Sequence, residues 1–266
     1  MLLAEVVAVL GQAYPPALAE PWDAVGLVCG DPGAQVRRVL FAVDPVEAVV
    51  AEALERGADL LVTHHPLYLR GTSTVAATSA KGRAVHALVR GGCALLAAHT
   101  NADSAAPGVS DALADLFGLT ATTPLAPQGD GRTGLGRVGD LPAPVVLREL
   151  LERAEQVLPR TAWGVRGAGD PDLEVRRLAV CGGAGDSLLG AAAAAGAQAF
   201  LTSDLRHHAA AEGPEGLALL DAAHWATEWP WLPVAAARLA ERTGLDVDVS
   251  SLVTDPFCLS SRSPRA

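Results

Sequence analysis

A chain of 266 residues, half of them apolar, has room for one large domain or two of ordinary size and enough apolar surface to build a proper core. Its formal charge of -10 and pI near 5.1 argue against a nucleic acid or an anionic membrane surface as main partner, because either needs a basic patch for counterion release. The longest uncharged stretch, Ser187 to Ser203, is mostly alanine broken by glycine and glutamine, too weakly apolar to span a bilayer.

In chain order, "MLLAEVVAVLGQAYPP" reads as an amphipathic helix that stops before Pro15. It has no positive leader and carries Glu5 inside its apolar stretch, unlike a signal peptide. From Val36 the pattern is a buried strand, a turn, a helix ending at glycine, and a second buried strand that runs into His64 and His65. A third strand in "CALLAAHTNAD" ends at His99. "TTPLAPQGDGRTGLG", residues 122 to 136, reads as a Pro- and Gly-rich connection. Cys29, Cys93, Cys181 and Cys258 lack any C-x-x-C or zinc-ribbon spacing and read as reduced, largely buried thiols of a cytoplasmic protein.

The chain repeats itself. "VRRVLFAVDPVEAVVAEALERGADLLVTHH" from Val36 aligns without a gap on "VRRLAVCGGAGDSLLGAAAAAGAQAFLTSD" from Val175. Arg37 and Arg38 fall on Arg176 and Arg177, Gly57-Ala58 on Gly196-Ala197, and Thr63 on Thr202. Each copy is a β-α-β unit, followed by a further strand and an H-x-x-x-carboxylate: His99 with Asp103, and His224 with Glu228. Shared apolar patterning of unrelated β-α-β units is the competing explanation, which the gapless alignment and the repeated histidine–carboxylate pattern weigh against. The expected fold is α/β, two related lobes spanning 1–125 and 126–266 with a metal site in the cleft between them.

Parallel strands end at one edge of a sheet, and in open α/β sheets ligands bind at that carboxyl edge. His64, His65, His99 and His224 all fall at strand ends, with Asp103 and Glu228 one short turn beyond. Adjacent residues of a strand point to opposite faces, so His64 and His65 suit two ions better than one. Imidazole plus carboxylate, with no lysine among them, suits zinc, manganese or iron(II) rather than magnesium or calcium. Taken singly, each histidine is more simply a hydrogen-bonded structural residue; His86, His207 and His208 keep that reading, the last two at the rim of the site.

"PWDAVGLVCG", "THHPLY", "HTNADSAAPGVSDALA", "CGGAGDS" and "AHWATEWP", in this order over nearly the whole chain, resemble the Nif-three-like proteins, also described as GTP cyclohydrolase 1 type 2 homologues. The resemblance implies two α/β lobes around a dinuclear centre and a toroidal homohexamer. It implies that His65 and Asp103 hold one divalent ion, His64 and His224 the other, and that Glu228 bridges both. His99 matches a motif histidine near the centre that is not counted as a ligand, for which a proton-shuttling or a structural role fits. Ala24, Ala102 and Ala223 depart from the family's usual asparagine, leucine and glycine and leave the ligand set intact. Longer members insert a domain between the lobes, for which this chain is too short.

The reaction implied is hydrolysis by water activated between two metals, on a small nucleotide or phosphorylated substrate. GTP ring opening is the activity the family label suggests. Against it, there is no P-loop, no N-K-x-D and a single lysine, Lys81. Arg37, Arg38, Arg70, Arg176, Arg177 and Arg206 could hold phosphate, as could backbone N–H groups of the glycine-rich "CGGAGDS" turn. The alternatives are a metal-dependent phosphoesterase and a non-enzymatic metal-binding scaffold or metallochaperone.

Overall fold

Apolar residues spaced three and four apart decide the first element: Leu3, Val6 and Leu10 bury one face of helix α1, Leu3–Ala13, which ends before Pro15 as expected. The computed structural model describes residues 1–260. After α1 come strands β1 (Gly26–Cys29) and β2 (Arg38–Ala42), helix α2 (Glu47–Glu55), β3 (Leu60–Thr63), α3 (Ala80–Gly91), β4 (Ala94–Ala97) and α4 (Thr100–Ser104). Then follow α5 (Val109–Leu116), β5 (Thr120–Gln128), β6 (Thr133–Val146), α6 (Leu147–Val157), β7 (Val165–Ala168), β8 (Glu174–Ala184), α7 (Leu189–Ala194) and β9 (Ala199–Ser203). The chain closes with α8 (His207–Ala211), β10 (Ala218–Ala222), α9 (His224–Glu228), α10 (Trp231–Thr243) and β11 (Asp246–Val249).

These elements form two compact units. The first is Met1–Ala105 with Leu232–Thr254; the second is Ala106–Trp231 with the described residues from Asp255. A single division at residue 125 is therefore corrected. The chain returns to its first unit because β11 completes that unit's sheet, pairing in parallel with β2 through Val247 and Val39.

The first unit's sheet has the order β1-β4-β3-β2-β11, parallel except where β1 runs against β4. Leu40, Leu61 and Leu95 from its strands pack with Val49, Val50 and Ala53 of α2 and Leu88 of α3, all at most 2% exposed. Burial on this scale is worth about 1.5–3 kcal/mol for each large aliphatic side chain. Ser79 starts α3 by accepting from the N–H of Gly82, and Gly92 ends it in the left-handed conformation.

The second unit's sheet has the order β5-β6-β8-β9-β10-β7, with β8, β9 and β10 parallel. Val138, Ala179, Phe200 and Leu219 meet Leu188, Leu189 and Ala192 over it. Residues 122–136, expected as a connection, instead form most of an antiparallel hairpin, β5 with β6, that turns at Gly129–Gly131. Two prolines are tolerated there because β5 is the edge strand of its sheet, where a missing N–H breaks no inner ladder.

The repeat is structural. Val39, Leu40 and Phe41 face Leu60, Leu61 and Val62 in β2–β3, and the equivalent Leu178, Ala179 and Val180 face Ala199, Phe200 and Leu201 in β8–β9, the same register. Gly57 and Gly196 both take positive φ, 65° and 75°, just past the helix of each copy, and the next N–H reaches back to Ala53 and Ala192 respectively. Asp59 accepts from the N–H groups of Arg37 and Arg38; Gln198, its counterpart, accepts from those of Arg176 and Arg177. Among the described residues no helix is long and apolar enough to cross a membrane.

Candidate metal-binding groups

In the first unit, β3 and β4 are parallel neighbours in register, Thr63 opposite Ala97, so the residues that follow them emerge at one sheet edge. His64 and His65 continue β3, and His99 leads from β4 into α4. The three rings cluster with centroids 5.1 to 5.4 Å apart, and one nitrogen of each lies within 4.8 Å of the others. His64 is fully buried. Asp103, one turn along α4, brings Oδ1 to 3.7 Å from Nε2 of His64.

Each ring is oriented through Nδ1. His64 Nδ1 lies 3.0 Å from the Ala98 carbonyl, His65 Nδ1 2.7 Å from Asp44 Oδ1, and His99 Nδ1 2.9 Å from Asp23 Oδ1. A neutral ring that donates from Nδ1 keeps its lone pair on Nε2, the arrangement typical of metal-ligating histidines. Asp23 is itself held: its Oδ2 accepts from both the N–H and the hydroxyl of Thr100. Burial, the neighbouring His64 and, more weakly, His65 push His99 down to about 4 against the pull of Asp23, so its ring is neutral at pH 7.

In the second unit, His224 opens α9 directly after β10, and Glu228 sits one turn later on the same face, as the i, i+4 spacing requires. Nε2 of His224 lies 2.8 Å from Glu228 Oε1, and its Nδ1 lies 2.7 Å from Asp204 Oδ2. Glu228 is 2% exposed. Its charge, with that of Asp204, holds the His224 imidazole up to about 11, so in the metal-free chain this pair shares a proton.

A hydroxyl network fixes the second group. Thr227 donates to the His224 carbonyl and accepts from the N–H of Gly183, while Thr202 donates to the Gly183 carbonyl. Gly183 has φ 68°, and a Cβ there would lie 2.6 Å from Glu228 Oε1 and 3.1 Å from His224 Nε2. Asp204 adopts φ 59°, unusual outside glycine and a conformation aspartate tolerates better than most. "CGGAGDS", expected as a strand-to-helix turn, thus ends β8 as a close-approach strand beside the histidine–glutamate pair.

All six expected residues therefore stand at sheet edges, four in the first unit and two in the second. Asp44 and Asp204 were not anticipated. The signal was present: both are acids directly beyond buried strands, and the repeat superposes Asp204 on His65. The arginines correct the phosphate expectation. Arg37 and Arg38 stand at the amino end of β2, and Arg176 and Arg177 near that of β8, opposite the histidine edge. Arg38, Arg176, Arg177 and Arg206 pair with Asp246, Glu174, Asp140 and Asp186. His208 pairs with Glu212 at the end of α8.

A family model described as Duf34/NIF3 (NGG1p interacting factor 3) matches residues 1–256. A Streptomyces coelicolor protein named GTP cyclohydrolase 1 type 2 homolog is 57% identical over 265 residues, covering 96% of this chain and 93% of its own. A Mycobacterium bovis protein of the same name is 40% identical over 374 aligned positions, covering 99% of this chain and 98% of its own. Among solved structures, a Bacillus cereus protein related to NIF3 shares the fold with a TM-score of 0.90 at 24% identity, covering 98% of this chain and 99% of that one. A Staphylococcus aureus hypothetical protein reaches the same TM-score and coverage at 27% identity. The chain belongs to the Duf34/NIF3 (NGG1p interacting factor 3) family.

Proposed function

We propose that the two groups are halves of one dinuclear centre and that this protein is a metal-dependent hydrolase. The observation that carries the reading is that His64, His65 and His224 each set Nδ1 on a carboxylate or carbonyl, the orientation by which a metal-ligating imidazole presents its Nε2. His65 and Asp103 would hold one ion, His64 and His224 the other, with Glu228 serving both. The donor set fits: imidazole and carboxylate without lysine suits zinc, manganese or iron(II), and the proton shared by His224 and Glu228 occupies a place a divalent cation would take. Two such ions supply Lewis acidity and lower the pKa of water.

Around them the chain's own groups have defined tasks. His99, neutral and tied to Asp23, accepts or passes a proton through its Nε2, while Asp44 and Asp204 keep the ligand rings in one tautomer. GTP ring opening is the hydrolysis that the relatives' printed names suggest, with phosphate-ester cleavage as the alternative.

Elemental analysis of untagged protein, wild type beside Glu228→Gln, tests the centre. About two ions per chain are expected in the wild type, with both lost or depleted in the variant. A wild type that takes up no zinc, manganese or iron(II) ends this reading. Turnover of GTP beside generic phosphate esters, with metal-depleted protein as control, then separates hydrolase from scaffold. Sedimentation of the metal-loaded protein tests the homohexamer.

A further inference from the structure

Trp22 is 57% exposed, although it stands beside the histidine group of its unit. Its ring centroid lies 6.0 Å from that of His99 at an interplanar angle of 77°, and His99 lies 5.2 and 5.4 Å from His64 and His65. The indole is thus one ring removed from the metal-binding histidines.

The turn that carries it is rigidly mounted. Asp23 accepts from Ala24 N–H and Thr100 N–H and bonds His99 Nδ1, all within 3.0 Å. Glu20 N–H donates to Thr100 Oγ1, and Asp23 N–H returns to the Glu20 carbonyl. These bonds run through the backbone of Glu20 and Asp23 and the Asp23 carboxylate, so the segment is fixed without the indole. Its exposed neighbours, Pro21 and Ala24, are small, Glu20 flanks them with a carboxylate, and the Asp23 carboxylate is turned inward with none of its side chain exposed. One aromatic among small and acidic groups is too little apolar surface for a protein interface, which needs a contiguous patch. It suits a single flat ring, because an indole face stacks on any heterocycle.

We propose that Trp22 is an aromatic platform that stacks the planar heterocycle of a ligand whose oxygen-bearing arm reaches the histidine group. The platform selects heteroaromatic compounds over phosphorylated sugars and other small esters. It rests on the proposed metal centre only for the anchoring of that arm.

The test uses full-length, metal-loaded protein, with guanosine monophosphate and ribose 5-phosphate as probes that differ by the ring. Affinities are measured by calorimetry for wild type, Trp22→Ala and Trp22→Phe, with and without chelation, and metal content and sedimentation are recorded for each. Trp22→Ala is expected to weaken the nucleotide by about ten-fold or more and Trp22→Phe by far less. Ribose 5-phosphate affinity and metal content should stay unchanged. No measurable nucleotide binding by the wild type, equal loss of both probes, or unchanged nucleotide affinity in Trp22→Ala overturns the platform. So does an altered sedimentation coefficient with unaltered affinity, which would make Trp22 an assembly contact. Ring-dependent binding that survives in a protein holding no metal would keep the platform and remove the metal-centre reading; full metal with no dependence on Trp22 would do the reverse.

Discussion

Asp44 and Gly183 occupy the same position in the two copies of one β-α-β unit and do opposite things there. Asp44 projects a carboxylate that holds His65 Nδ1 at 2.7 Å. Gly183 projects nothing, and the space so left lies beside Glu228 Oε1 and His224 Nε2. A duplicated scaffold has been differentiated at one residue into a ring support and a clearance.

Gly183→Ala should therefore damage the second group. The added Cβ meets Glu228 Oε1 at 2.6 Å and must also adopt φ 68°, which together should cost about 1–3 kcal/mol of stability. Metal content should drop with it. Gly190→Ala, where nothing lies within 4 Å, is the control and should leave both unchanged. Equal metal content in Gly183→Ala and wild type would show that the clearance is not needed.

Asp44→Asn and Asp204→Asn should each weaken metal affinity by roughly 10- to 100-fold, the usual effect of losing a ring-orienting carboxylate. Chelator competition measures this directly. Folding stability should change little, since both carboxylates are partly exposed. Wild-type affinity in either variant would mean that its histidine is not a ligand.

The metal-free protein should be most stable near pH 6.5. His99 sits at about 4 in the fold against 6.5 when unfolded, so its contribution is complete above 6.5 and is lost as the pH falls through 4, up to roughly 3 kcal/mol. His224, held up to about 11 first by the charge of Glu228, contributes fully below 6.5, and that contribution is lost as the pH rises through 11. Urea titrations of chelated protein across this range should decline on both sides. A flat acid limb would contradict the burial of His99. Zinc binding at pH 7 should release about one proton from His224, read as a dependence of calorimetric enthalpy on buffer.

Arg137, 2% exposed, grips both oxygens of Asp111 at 2.6 and 2.7 Å and donates to the carbonyls of Gly134 and Gly136. It ties α5 to β6. Arg137→Ala should cost about 2–4 kcal/mol by opening a void at a buried site and leaving the part-exposed Asp111 carboxylate without its partner, seen as a lower urea midpoint, with the number of ions bound per folded chain unchanged. Replacing Arg137 and Asp111 together by apolar residues should recover much of that loss. A double variant no more stable than the single one would show that the pair does more than neutralise charge.

Much of this was legible in the chain itself. His64, His65, His99 and His224 stand at strand ends because buried β-branched and leucine-rich runs precede them, and such runs are local signals. The repeat announced two matching β-α-β units, and its glycines at 57 and 196 fell where a helix must end. The hairpin at 122–136 was hidden because prolines at 124 and 127 are loop signals in an inner strand and harmless at an edge, a distinction that depends on what lies alongside. Asp44 and Asp204 went unseen for a related reason: a carboxylate past a strand is common, and only its distance to a ring 20 or 21 residues away gives it a task.

The sequence by itself determined the elements, their duplication and the residue types gathered at two sheet edges, because periodicity and turn chemistry act over a few neighbours. Tertiary structure decided the rest. It returned β11 to the first unit's sheet, gave Arg38, Arg176, Arg177 and Arg206 their carboxylate partners, and chose which acid orients which imidazole. Those outcomes depend on contacts between residues far apart in the chain, whose energies no local pattern records.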